Sequence, residues 1–162
     1  GTTRSVTNPC DATITATSSS TDEYLDAHQH HIYRSIVGSL MYAATMTRLD
    51  IAFAVGVLSR RLAKPSTANM IAAKRVLRYL SGCPHYHLLF QTRNNLQPAI
   101  VRNYPLTAYT DASHAADLTD RSSTTGTIIK LFGNAVTWMS KKQRVIASSS
   151  TEAEYYALHQ TT

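Results

Sequence analysis

The hydrophobic period of this chain changes from helical toward two at Gly82 and Pro84, and that change divides what the sequence can fold into. Before it, Ile36, Val37, Leu40 and Met41 recur at helical spacing. A turn over Thr47 to Asp50 then leads into a second apolar run from Ile51 to Leu62. Lys64 and Pro65 break that run, Ser66 or Thr67 can cap a third helix, and Met70, Ile71, Val76, Leu77 and Leu80 mark its expected buried stripe. After Gly82 and Pro84 the period approaches two, with Tyr86, Leu88 and Phe90 on one side of an expected strand and a polar loop over Thr92 to Gln97. From Leu106 the chain reads as strand (Leu106 to Thr110), loop, strand (Thr124 to Phe132), a Gly133 and Asn134 turn, strand (Ala135 to Ser140), and then Val145 to Ala147 leading into a helix at Thr151. The residues before about 23 are rich in Thr and Ser and lack a sustained apolar period. The expectation is an α+β chain: a disordered or linker arm over 1–27, a helical segment over 28–82, a connecting strand and loop over 83–103, and a sheet with one helix over 104–162.

Composition narrows the function classes modestly. At 162 residues and 43% hydrophobic content, the chain suits one ordinary domain or two small ones. A formal charge of +6 and a pI near 9.5 suit a polyanion such as nucleic acid, although many proteins are this basic. Cys10 and Cys83 are too few for a disulfide framework and read as thiols of a reducing compartment. No stretch approaches the roughly 20 apolar residues of a membrane span, so no membrane partner is expected. Residues Gly1 to Cys10 lack the apolar core of a secretion signal. The chain begins at Gly1 and closes inside a helical pattern, which reads as a fragment of something longer or as a trimmed product.

Chemistry concentrates near the end of the chain. Tyr109, Thr110 and Asp111 read as a strand that presents a carboxylate, and Glu154 falls in the first turn of the last helix. Phosphodiester hydrolysis by paired divalent cations needs several carboxylates converging on ions roughly 4 Å apart, and hard cations prefer such oxygen donors. Each residue also has a purely structural explanation. Asp111 with Ala112 and Ser113 can begin an Asx turn. Thr151 to Glu154 fits a capping box in which Glu154 reaches back to the Thr151 amide, and Glu152 suits the helix macrodipole. The histidine clusters of His28, His30 and His31 and of His85 and His87 lack zinc-like spacing to any cysteine. His114 can hydrogen bond near the carboxylates or sit in an exposed loop. Lys74, Arg75 and Arg78 form a charged face on the third helix, solvated or set against a phosphate backbone. Arg121, Lys141, Lys142, Gln143 and Arg144 surround Trp138 and can track phosphates, while Ser122, Ser123 and Thr124 offer hydroxyls to phosphate or to a ribose 2′-OH.

Taken together, the segments resemble the Pol polyprotein of copia-type retrotransposons. Tyr33 to Tyr42 (YRSIVGSLMY), Thr47 to Ile51 (TRLDI), Val55 to Arg60 (VGVLSR) and Ala73 to Leu80 (AKRVLRYL) are similar to the end of that family's reverse transcriptase. Tyr109 to Ala112 (YTDA), Asp120 to Gly126 (DRSSTTG), Trp138 to Gln143 (WMSKKQ) and Ser148 to Tyr155 (SSSTEAEY) resemble its ribonuclease H domain. The match runs over residues 28 to 160 in the family's order and spacing.

The resemblance implies a helical thumb or connection segment followed by a truncated ribonuclease H-like sheet of three antiparallel strands and the first helix. It implies that Asp111 matches the first-strand catalytic Asp and Glu154 the helix carboxylate, with Glu152 as runner-up. Mg²⁺, with Mn²⁺ as a substitute, would be held by Asp111 and Glu154, and only weakly where the site is incomplete. The implied partners are an RNA:DNA hybrid or other nucleic acid and the remainder of the Pol polyprotein, in an intracellular setting, a cytoplasmic particle or the nucleus. Two departures stand out: Leu49 replaces the family's usual Pro, and Ser113 and His114 stand where an Asp and Trp are usual. Further catalytic Asp residues of the family would follow Thr162, so the chain alone is expected to be inactive. The alternatives are a nonenzymatic nucleic-acid-binding or assembly module, or an inert relic. An uncovered sheet edge would favour self-association.

Overall fold

In the computed structural model, residues 6–10, 23–91, 105–115 and 120–161 are described. They belong to two units, residues 1–86 and 87–162. The first is helical. Asp26 starts α1 (Ala27–Met46) by accepting from the Gln29 amide at 2.7 Å, several residues before the apolar period becomes evident. A 3₁₀ turn at Leu49–Ile51 leads into α2 (Ala52–Ser59). Ser66 and Asn69 form a reciprocal capping box at the head of α3 (Thr67–Gly82), where the sequence places a cap.

α1 buries Tyr33, Val37, Leu40 and Ala44, a stripe at alternating steps of four and three. Around it lie Ile51, Leu58 and Val76 in one apolar cluster. Tyr33 donates its hydroxyl to the Leu58 carbonyl at 2.8 Å, and burial pushes its phenol up to about 12. The buried stripe of α3 is Met70, Ala73, Val76 and Tyr79, whereas Ile71 and Leu77 are exposed. The expected stripe is therefore corrected: one residue is a 100° rotation, enough to carry Ile71 and Leu77 off the face that Met70 and Val76 share.

Where the N-terminal segment is described, it touches the helical unit. Leu25 N–H donates to the Pro65 carbonyl, Thr67 N–H to Glu23, and the Arg75 guanidinium to Asn8, while Cys10 packs against the core. Residues 11–22 lie outside the described residues. Cys10 and Cys83 are thiols in no disulfide, as expected.

The TRLD run does structural work in this unit. Arg48 grips Asp50 through two bonds of 3.0 and 2.8 Å and donates a third to the Cys83 carbonyl, while the Tyr79 hydroxyl donates to Asp50 at 2.8 Å. Partial burial raises the Asp50 carboxyl, but the Arg48 and Tyr79 hydrogen bonds outweigh it and hold the group below its ordinary value. A carboxyl depressed on folding adds stability above about pH 4, its unfolded value, and that stability is lost as pH falls through the folded one. The gap in urea midpoint between the unchanged protein and Asp50→Asn, followed by circular dichroism, is expected to be widest at neutral pH. It should close on acidification below about pH 4; a gap independent of pH would remove Asp50 ionisation as its source.

In the second unit the expected strand around Leu88 is absent. Residues 86–91 form no ladder, and Leu89 and Phe90 are exposed. No strand among the described residues pairs with them; instead the Asn134 side chain accepts from Gln91 N–H and donates to its carbonyl. The polar loop over Thr92 to Gln97 lies outside the described residues. Three strands follow, β1 (Leu106–Ser113), β2 (Thr124–Leu131) and β3 (Asn134–Lys142), antiparallel in the order β1-β2-β3. The turn residues between β2 and β3 are Phe132 and Gly133, both at positive φ, 49° and 80°, rather than Gly133 and Asn134. This backbone suits a two-residue hairpin, and Asn134 already pairs with Leu131. The register slips between Ile129 and Lys130, leaving Val136 as an extra residue on β3. α4 (Ser150–Thr161) buries Ala153 and Ala157. With Ala147, these small residues are the buried apolar ones of the described unit; Ser123, Thr125, Thr127 and Gln143 are buried beside them.

Candidate metal centre

β1 does not stop at Asp111. Asp111 pairs with Gly126 and the ladder continues to Ser113 and Thr124, so the residue lies inside a strand and not at the head of an Asx turn. Strand alternation sets Ala112 and its neighbour Thr125 on the face toward α4 and Asp111, exposed, on the other. Among the described strands, β1 and β3 are the two outer ones.

Glu154 meets β1. Its Oε1 accepts from the Ala112 N–H at 3.2 Å, so a carboxylate of the first helical turns is bound to the amide that directly follows Asp111. The capping role belongs to other residues. Ser149 Oγ accepts from the Glu152 N–H at 3.1 Å, and Glu152 Oε2 accepts from the Ser148 amide and hydroxyl at 2.7 and 2.6 Å. Those bonds from Ser148 hold the Glu152 carboxyl below its ordinary value. The expected box of Thr151 and Glu154 is thus displaced two residues toward the N-terminus, because Ser149 makes the first helical bond, from Ala153 N–H to its carbonyl. Glu152 is spent on the cap and Glu154 is released to the sheet.

The rest of the site falls into two groups. Lys141 and Arg144 are exposed, as is Arg121, which sits at a φ of 58°. Lys142 is paired with Asp120 at 2.6 Å, and Asp120 is held below the ordinary carboxylate range by its hydrogen bonds from Lys142 and Ser122. Ser122 and Ser123 are buried, and Ser123 Oγ accepts from the Ala115 amide at 3.1 Å, so that hydroxyl ties down the loop after β1. His114 Nε2 lies 3.2 Å from the Ala147 carbonyl and must donate to it, which joins the end of β1 to the approach of α4. Trp138 is half-buried on β3. Gln143, grouped by the sequence with the phosphate-tracking residues around Trp138, is instead turned inward: it is 3% exposed, and its Nε2 donates to Thr125 Oγ1 at 3.1 Å and to the Ala153 carbonyl at 2.9 Å.

Oxygen donors of this kind suit a hard divalent cation. Among the described residues, no group of three or more His, Cys, Asp or Glu side chains converges on one point. Glu154 reaches the amide that follows Asp111 at the edge of β1, while the Asp111 side chain lies on the face away from α4.

Comparison with known proteins accounts for these motifs. A retrovirus-related Pol polyprotein from the TNT 1-94 transposon of Nicotiana tabacum is 44% identical over 129 residues, 80% of this chain. One from the RE1 transposon of Arabidopsis thaliana is 43% identical over the same length. The chain belongs to the Pol polyprotein family of copia-type retrotransposons. It spans 9% and 8% of the length of those two Pol polyproteins. A secreted RxLR effector protein of Plasmopara viticola is 45% identical over 130 residues, covering 80% of this chain and 86% of that relative. No protein-family profile and no solved structure matches the chain. Among the described residues no helix is long and apolar enough to cross a membrane.

Proposed function

We propose that the second unit is the front part of a ribonuclease H-like module whose parent Pol protein hydrolyses the RNA strand of RNA:DNA hybrids, and that the helical unit is the thumb or connection segment of the preceding reverse transcriptase. The observation that carries this reading is the bond from Glu154 to the Ala112 amide beside Asp111, made while Glu152 is occupied by the helix cap. It favours Asp111 and Glu154 over Glu152 as the pair that would hold Mg²⁺ or Mn²⁺. When bound, paired cations supply an activated water and neutralise the leaving oxygen. The chain's own contribution is to keep one carboxylate on a rigid strand and set the other against its edge. Lys141, Arg144 and Arg121 offer exposed charge to the hybrid's phosphates, with Lys142 held back by Asp120. Catalysis would occur with the remainder of the Pol polyprotein inside the cell, in a cytoplasmic particle or the nucleus. The outer edge of β1 is a second contact surface, open to pairing with another copy or with the rest of Pol.

Two carboxylates are fewer than a two-ion cage requires. The 162-residue chain with Mg²⁺ is therefore expected to leave a labelled hybrid uncut, while a full-length Pol polyprotein carrying this segment cuts the RNA strand. Asp111→Asn in that polyprotein should slow cutting by on the order of a thousandfold, the equivalent of several kcal/mol of lost charge stabilisation. Unchanged cutting would sink the assignment, and strong Mg²⁺-dependent cutting by the short chain would show that the site is complete without further ligands.

A further inference from the structure

We propose that Gln143 is a positioning residue that sets Glu154 against β1. The argument rests on a closed circuit of contacts. Glu154 Oε1 accepts from Ala112 N–H; Ala112 pairs with Thr125 across β1 and β2; Thr125 Oγ1 accepts from Gln143 Nε2; and the same Nε2 donates to the carbonyl of Ala153, the residue before Glu154. One side-chain amide therefore fixes the distance between the second sheet strand and the helical turn that carries the carboxylate. Its backbone is pinned as well, because Gln143 N–H donates to the Ser123 carbonyl at 2.8 Å.

The chemistry of the residue supports positioning rather than packing. Gln143 Oε1 is buried and has no hydrogen-bond partner among the described residues. Burying an acceptor unpaired is costly, and an apolar side chain of similar volume would avoid that cost. What an apolar side chain cannot supply is two directed N–H donors, and both donors of Gln143 are used on the circuit. Turning the amide over would set Oε1 against the Ala153 carbonyl, acceptor facing acceptor, so the donor orientation is the one consistent with its surroundings. The circuit also gives the Ala112 amide a partner at the open edge of β1, where a neighbouring strand would otherwise supply one.

The functional meaning of this circuit rests on reading Asp111 and Glu154 as the metal-holding pair; the circuit itself does not. The test is amide hydrogen exchange by NMR on the full 162-residue chain. In Gln143→Met, which conserves volume, the Ala112 amide is expected to exchange about tenfold faster, approaching its rate in Glu154→Ala, while the β1 ladder amides of Tyr109 and Asp111 keep their protection. Thr125→Val should produce the same selective change and Thr125→Ser should restore protection, and these variants decide the matter if Gln143→Met does not fold. Unchanged exchange at Ala112, or an equal rise across all three strands, would overturn the proposal, the second result reducing Gln143 to ordinary core support. Hybrid cleavage by a full-length Pol polyprotein carrying Asp111→Asn separates the two readings. If Ala112 responds to Gln143 but that variant cuts at the unchanged rate, the positioning role stands and the metal site falls.

Discussion

Leu58→Ala is expected to destabilise the helical unit by about 2–5 kcal/mol and to leave the sheet unit's own unfolding in place. Leu58 is 1% exposed in a cluster with Tyr33, Val37, Leu40 and Val76, and its removal leaves a cavity among large side chains that cannot all move inward. The Tyr33 hydroxyl bonds to the Leu58 backbone, so that bond survives the substitution and the loss reports packing. The chain carries its own reporters. Its single tryptophan, Trp138, lies on β3, while α1 and α3 are the two longest helices among the described residues and dominate the helical circular dichroism. Denaturant scans should show the helical transition moving to lower concentration while the Trp138 fluorescence transition holds still. The fluorescence transition should also come first in the unchanged protein, because the described apolar core beneath the sheet is built from three alanines. A common shift of both signals would mean that the two units unfold as one.

What the sequence made legible follows from how local each signal is. The two hairpin strands, the third helix with its Ser66 cap and the last helix are written in short-range pattern and punctuation, and they form close to where that pattern puts them. The strand expected around Leu88 fails because alternation describes a face and says nothing of a partner, and no described strand pairs with it. The start of α1 was readable in principle: Asp26 and Gln29 have capping-box spacing, but the apolar stripe that draws attention begins later. At the site, Ser149 with Glu152 and Thr151 with Glu154 fit the same spacing, and local pattern cannot choose between overlapping registers. The contact that favours the first, Glu154 to Ala112, spans 42 residues. Gln143 was assigned to the phosphate-tracking surface for a related reason. A polar residue after a run of lysines reads as solvent-facing, and only the packing of α4 onto β2 encloses it.

The sharpest consequence of that choice of register is a difference between two neighbouring glutamates. In a full-length Pol polyprotein carrying this segment, Glu154→Gln is expected to lower hybrid cleavage by on the order of a thousandfold, the loss of several kcal/mol that a ligand's negative charge supplies to bound cations. Glutamine keeps a carbonyl oxygen for the Ala112 amide, so the helix should stay docked and the loss should reside in charge alone. Glu152→Gln likewise keeps an acceptor for the Ser148 amide and hydroxyl, and glutamine is as usual as glutamate at that capping position. Its cleavage rate should stay within about twofold of the unchanged protein, since in this reading its charge touches neither metal nor substrate. Circular dichroism of both variants checks that folding is preserved before rates are compared. Equal losses at the two positions would mean that general negative charge near the helix start matters, and a loss at Glu152 alone would hand the metal-holding role to the runner-up. Only a loss confined to Glu154 agrees with the structure, in which one glutamate closes the helix and the other reaches the strand that bears Asp111.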